Sequence, residues 1–274
     1  MLTRMIPVSG EELPVIGLGT WIQFDVGASP QERQPLTEVL MQMAAHGGRV
    51  IDSSPMYGRA EAVVGDLTSH LPIADQFFYA TKVWVQGKDS GVQQISASFQ
   101  KLRRHTIDLL QVHNLVDWRT QLRTLRQLKE EGRIRYVGIT HYHRSAHAQL
   151  EEIIRTEPID FVQFNYSIRE RHAETSLLPA AQERGVAVLI NEPFETGALF
   201  KLVKGKLLPS WAADYGIHSW SQFFLKYIIS HPAVTCVIPG TSNPQDLVYN
   251  MQAGKGPLPD EAVCKKMLQV MEVL

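Results

Sequence analysis

The chain has 274 residues, 44% of them hydrophobic and 20% charged, the make-up of a globular protein able to bury a sizeable core. Its 27 basic residues against 28 acidic ones leave a net charge of −1, so no basic face for nucleic acid is expected. Two cysteines, Cys236 and Cys264, make neither a disulfide framework nor a cysteine-based metal site.

From the amino terminus, Pro7, Glu11, Glu12 and Pro14 break up any apolar run, so no signal-peptide core is expected there. The longest apolar stretches, such as 186–190 and 235–238, fall far short of the ~20 residues that span a membrane. A cytoplasmic protein without membrane contact is expected. Residues 5–8, a Ser9-Gly10 turn and residues 13–16 read as a β-hairpin. Short β-branched runs follow at 15–18, 50–52, 77–81, 109–113, 136–139, 161–164, 187–190 and 235–238. Between and after them lie amphipathic stretches at 34–46, 60–69, 92–103, 118–131, 144–155, 175–184, 221–230 and 244–252. Asn243 and Pro244 stand as N-cap and first residue of the last of these, and 259–274 reads as one more, terminal helix. Eight strand–helix units in one chain imply an α/β fold, a closed (β/α)8 TIM barrel forming a single domain over 1–274. The one long irregular connection, 192–219, is of a length usually reserved for function or movement.

Such barrels carry their chemistry at the carboxyl ends of the strands. Asp52 ends the second strand, Lys82 follows the third, His113 ends the fourth, and Tyr57 lies on the loop after Asp52. Singly, these four are ordinary: a turn cap, a snorkelling lysine, a core histidine and a packed loop aromatic. Meeting at one rim, they fit proton donation to a carbonyl. Free tyrosine, with a pKa near ~10, is a weak acid at neutral pH. A lysine ammonium within reach lowers that value, an aspartate holds the lysine charged, and a histidine can hydrogen-bond the carbonyl oxygen. His141, His143 and His147 lack an acidic or cysteine partner at ligand spacing, so no metal is expected and the two electrons must come from an organic hydride donor.

At these residues the chain resembles the aldo-keto reductases. Gly17-Leu18-Gly19-Thr20-Trp21 is similar to the family's first strand, and Ile51-Asp52-Ser53-Ser54-Pro55-Met56-Tyr57-Gly58, running on to Glu61 and Gly65, to its signature segment. Lys82-Val83-Trp84 resembles the lysine strand, Asp108 to His113 the histidine strand, the run from Gly132 to Ile139 the entry to strand five, Gln163-Phe164-Asn165-Tyr166 strand six, and Pro239-Gly240 the cofactor end. The resemblance implies a barrel that binds a nicotinamide dinucleotide, NADPH foremost and NADH as the alternative, and reduces small-molecule aldehydes and ketones. It makes Tyr57 the general acid, tuned by Lys82 and Asp52, with His113 orienting the substrate. Thr20, Asp52, Thr140, His141, Gln163, Asn191 and Phe194 would surround the nicotinamide. Gly240, Thr241, Ser242, Asn243 and Asn250 would hold the adenosine end. Trp21, Phe24 and Trp84 would join Tyr57 in an apolar substrate wall.

The chain departs from the family at four places. Asn191-Glu192-Pro193-Phe194 replaces the common Tyr-Ser-Pro-Leu, so the tyrosine that stacks on the nicotinamide is missing and Glu192 adds negative charge. His141 stands in place of an asparagine, Asp246 in place of an arginine that pairs with the 2′-phosphate, and Gly240 in place of a lysine. Two further readings stay open at this point: redox-neutral isomerase, lyase or cyclase chemistry on the same site, and a nucleotide-sensing interaction subunit without turnover.

Overall fold

The computed structural model describes residues 1–273. The chain opens with an antiparallel hairpin of β1 (Thr3–Met5) and β2 (Glu12–Pro14), shorter than the expected 5–8 paired with 13–16 and displaced from it towards the amino terminus. Beyond Met5 the chain turns at once: Ile6 N–H reaches Glu11 O at 2.7 Å, and Pro7 has no N–H to extend the ladder. Eight parallel strands follow: β3 (Leu18–Gly19), β4 (Val50–Asp52), β5 (Phe78–Val83), β6 (Ile107–His113), β7 (Ile134–Thr140), β8 (Phe161–Asn165), β9 (Ala187–Asn191) and β10 (Cys236–Val237). They pair in sequence order. The ring closes between its first and last strands, where Ile16 bridges Val237 and Gly19 bridges Gly240, with Gly17 N–H donating to Val237 O at 2.8 Å.

The outer layer is α1 (Pro30–Ala45), α2 (Ala60–Ser69), α3 (Lys88–Leu102), α4 (Trp118–Glu130), α5 (His147–Thr156), α6 (Leu177–Arg184), the short α7 (Ala198–Leu202), α8 (Trp220–Ser230) and α9 (Pro244–Ala253). The terminal helix α10 (Glu261–Glu272) is shorter than 259–274, whose last residue lies outside those described. The first helix starts earlier than residue 34 because Ser29 accepts from Glu32 N–H and Pro30 sits where a missing N–H costs nothing. The connection at 192–219 is not wholly irregular, since α7 and two 3₁₀ turns, Glu195–Gly197 and Ser210–Tyr215, lie within it. Gly65 lets α2 touch α3: a Cβ there would stand 2.0 Å from Lys101 O.

Strand periodicity divides the barrel interior into two halves. Every second residue points inward. The amino-terminal half is apolar: Val50, Phe78, Leu109, Tyr136, Phe161, Ala187 and Leu189 cluster there with Ile6 and Leu13 of the hairpin. Phe78, Tyr136 and Phe161 pack with ring centroids 5.4–6.0 Å apart. Counting on by two along the same strands gives Asp52, Lys82, Gln111 and His113, Thr140, Gln163 and Asn191. The carboxyl-terminal half is therefore polar, and the site stands on an apolar floor.

Candidate active site

Asp52 and Lys82 form the centre of the polar half. Lys82 Nζ lies 2.6 Å from Asp52 Oδ2 and donates to Ser53 O at 2.8 Å; the lysine side chain is 0% exposed and the aspartate 3%. The other carboxylate oxygen, Oδ1, accepts from Gln111 Nε2 at 3.2 Å and Gln163 Nε2 at 2.9 Å. Gln163 Oε1 in turn accepts from Thr140 Oγ1 at 3.1 Å and Asn191 Nδ2 at 3.4 Å. Burial alone would drive the lysine towards neutrality, but Asp52 and Tyr57 outweigh it and hold Lys82 above its ordinary pKa. It is charged at neutral pH.

That ammonium stands 4.9 Å from the centre of the Tyr57 ring. The expectation that lysine makes the phenol more acidic than usual needs correction. Burial raises the Tyr57 pKa and is the largest influence; Lys82 pulls it down; Asp52 and Glu192 push it up, and the net direction is upward. The phenol thus keeps its proton across neutral pH. The Tyr57 ring meets His113 edge-on, centroids 5.9 Å apart and planes at 86°. Burial first, then Lys82 and His141, lower the His113 pKa to about 2, so its imidazole is neutral. Ser54 Oγ lies 2.9 Å from His113 Nδ1.

Above these groups opens a cleft of about 780 Å³. Asp52, Tyr57, His113, Thr20, Trp21, Thr140, Gln163, Asn191, Phe194 and Gly240 all line it. Thr20 is fully buried and donates to Asp52 O at 3.0 Å. Lys82 lies beneath the floor. Among the described residues no lysine or arginine lines the cleft, and Glu192 is its one carboxylate besides Asp52. Backbone strain gathers at this rim, where Ile22 and Glu192 hold φ of +61° and +50°.

A model of the Aldo/keto reductase family matches residues 15–266 of this chain. The chain belongs to that family. The NADH-specific methylglyoxal reductase of Escherichia coli (strain K12) is 25% identical over 264 residues, 82% of this chain and 78% of the relative. Methylglyoxal reductase YeaE of the same organism is 26% identical over 246 residues, 86% of this chain and 84% of that one. The crystal structure of an aldo-keto reductase from Klebsiella pneumoniae in complex with NADPH shares the fold, with a TM-score of 0.83 at 23% identity over 98% of this chain and 95% of that one.

Several expected positions of this aldo/keto reductase fall away from the cleft. Phe24 is fully buried in the core and Trp84 is 41% exposed; neither lines the cleft, because both sit in irregular segments whose facing no periodicity predicts. His141 also stands outside the lining, its ring stacked on Tyr142 at 5.5 Å and its Nδ1 accepting from His143 N–H. Beyond Gly240, Asn243 caps α9 by accepting from Gln245 and Asp246 N–H, Thr241 Oγ1 accepts from Asn243 N–H, and Asn250 is buried; these three and Ser242 do not line the cleft. His147 is taken up by bonds to Asn165 and His172, and among the described residues no three His, Cys, Asp or Glu side chains converge as a metal set. No helix among them is long and apolar enough to cross a membrane. Sequence reasoning missed Gln111, Ser54, Tyr142 and Phe200. Gln111 was within reach, two residues before His113 on the same strand face.

Proposed function

We propose that this aldo/keto reductase reduces an aldehyde or ketone to the alcohol, with Tyr57 giving the proton to the carbonyl oxygen. The observation that carries this reading is the buried Lys82–Asp52 pair, 2.6 Å apart, set under a Tyr57 phenol that faces a cleft. A bound nicotinamide dinucleotide supplies the hydride. The residues fit such a group on two counts. Asn191 Oδ1 is buried without a partner beside Gln163, a ready acceptor for an amide N–H. Gly240 leaves its backbone bare at the cleft, where a Cβ would stand 3.1 Å from Gly19 O, a few residues before the N-terminus of α9. Thr140, Gln163 and Asn191 would hold the nicotinamide amide, with His141 and Phe194 beside it, and residues 240–243 with Asn250 the adenosine end. The Klebsiella structure with NADPH and the NADH-specific relative support either form of the donor.

In this reading Asp52 keeps Lys82 charged, Lys82 stabilises the phenolate left after proton transfer, and neutral His113 hydrogen-bonds the carbonyl oxygen. Trp21 and the exposed Met56 and Phe200 give the substrate apolar surface. The test is Tyr57→Phe. Loss of a positioned general acid lowers turnover by about 10²–10⁴-fold, while cofactor affinity, read from nucleotide fluorescence, stays within about twofold. Oxidation of neither NADPH nor NADH by the wild type across a panel of aldehydes, or undiminished turnover by Y57F, would overturn the reading.

A further inference from the structure

We propose that Ser54 is a positioning residue whose hydroxyl holds His113 in the tautomer with its hydrogen on Nε2 and ties that choice to the loop bearing Tyr57. Its catalytic consequence rests on the reading above; the tautomer itself does not. The argument is a count of donors and acceptors. Ser54 is fully buried, and its Oγ has one hydrogen and two lone pairs. Met56 N–H, 3.3 Å away, can only donate and takes one lone pair. The hydroxyl hydrogen then needs an acceptor, and among the described residues His113 Nδ1 at 2.9 Å is the one on offer. A hydrogen on Nδ1 would leave the serine hydrogen buried without a partner, which folded proteins avoid.

Since the imidazole is neutral at working pH, its hydrogen goes to Nε2. Which ring nitrogen of a histidine is protonated follows from the bond the other one makes. With Nδ1 engaged, the ring presents an N–H donor to the cleft that His113 lines. The other tautomer would present a lone pair and repel a carbonyl oxygen. The backbone adds to the coupling, because Tyr57 N–H donates to Ser54 O at 3.0 Å. One serine thus registers the phenol loop against the imidazole.

The experiment is long-range ¹H–¹⁵N correlation spectroscopy of the full-length protein labelled in its 10 histidines, with His113 assigned by its disappearance in His113→Gln. The expected result is the Nε2–H pattern at neutral pH in the wild type and the appearance of Nδ1–H in Ser54→Ala. For carbonyl reduction, S54A should lose about tenfold in kcat/KM, the worth of one good hydrogen bond, with cofactor affinity unchanged, and Ser54→Thr should keep the wild-type tautomer. An Nδ1–H pattern in the wild type, or an unchanged pattern in S54A, overturns the proposal. The nitrogen shifts report whether or not any carbonyl is reduced. An inactive protein with the expected pattern would therefore refute the proposed function and leave the role of Ser54 standing.

Discussion

Replacing Lys82 with methionine tests the centre of the site most directly. The substitution keeps much of the side chain's length and removes its charge inside a group where both partners are buried. Breaking such a pair from one side costs about 3–5 kcal/mol, because the remaining charge is stranded away from water. In this chain Asp52 Oδ1 keeps its bonds from Gln111 and Gln163, whereas Oδ2 and the Ser53 carbonyl both lose the ammonium. The partial support on Oδ1 places the expected loss at the lower end, about 3–4 kcal/mol. Adding Asp52→Asn to K82M removes the stranded charge while keeping an acceptor for the two glutamines, and should recover at least half of the loss. Urea unfolding followed by tryptophan fluorescence and circular dichroism measures both. A single variant within about 1 kcal/mol of wild type, or a double variant no more stable than the single, would refute the claim that Lys82 holds the Asp52 charge in place.

Two other substitutions separate the electrostatics of the cleft from the packing beneath it. Glu192→Gln removes a charge that raises the Tyr57 pKa. The proposed reduction requires the protonated phenol, so the alkaline limb of the pH profile of kcat/KM should move to lower pH; an unmoved limb, or one displaced upward, would contradict the assignment. Gly65→Ala forces a methyl against Lys101 O and the Leu102 backbone, at 2.0 and 2.8 Å. Neither backbone atom can swing aside, so α2 must shift from α3, and overpacking of this kind costs about 1–3 kcal/mol. A denaturation midpoint unchanged from wild type would show that the two helices have slack.

The barrel was legible in the sequence because its strands are short β-branched runs separated by amphipathic stretches of steady length. Helix α2 falls at the expected 60–69, whereas α3 begins at Lys88, before the expected 92. Gly87, with φ of +84°, opens that helix on a polar first turn that hydrophobic periodicity does not register. Asp52, Tyr57, Lys82 and His113 were also legible, since they stand at strand ends or on the loop following one. The Ser54–His113 bond joins residues 59 apart in sequence, and nothing along the chain announces it. The direction of the Tyr57 pKa was misjudged for a related reason: the lysine charge is written in the sequence, but the degree of burial is a property of the packed cleft.

That burial bears on why Tyr57, and not His113, is the proton source in the proposed reaction. Histidine is ordinarily the better acid near neutral pH. Here desolvation strips the imidazole of its proton, and the Lys82 ammonium adds to that effect. The same cation favours the Tyr57 phenolate. A single buried charge, fixed by Asp52, thus acts on two neighbours in opposite senses of usefulness. It reinforces the effect of burial that keeps the imidazole neutral, and in the proposed reaction it stabilises the base that the phenol becomes. Moving the charge outward would weaken both effects together. In the proposed reaction the division of labour between Tyr57 and His113 therefore follows from the burial of both groups together with one lysine on the inward face of β5, and from the aspartate that makes its burial tolerable.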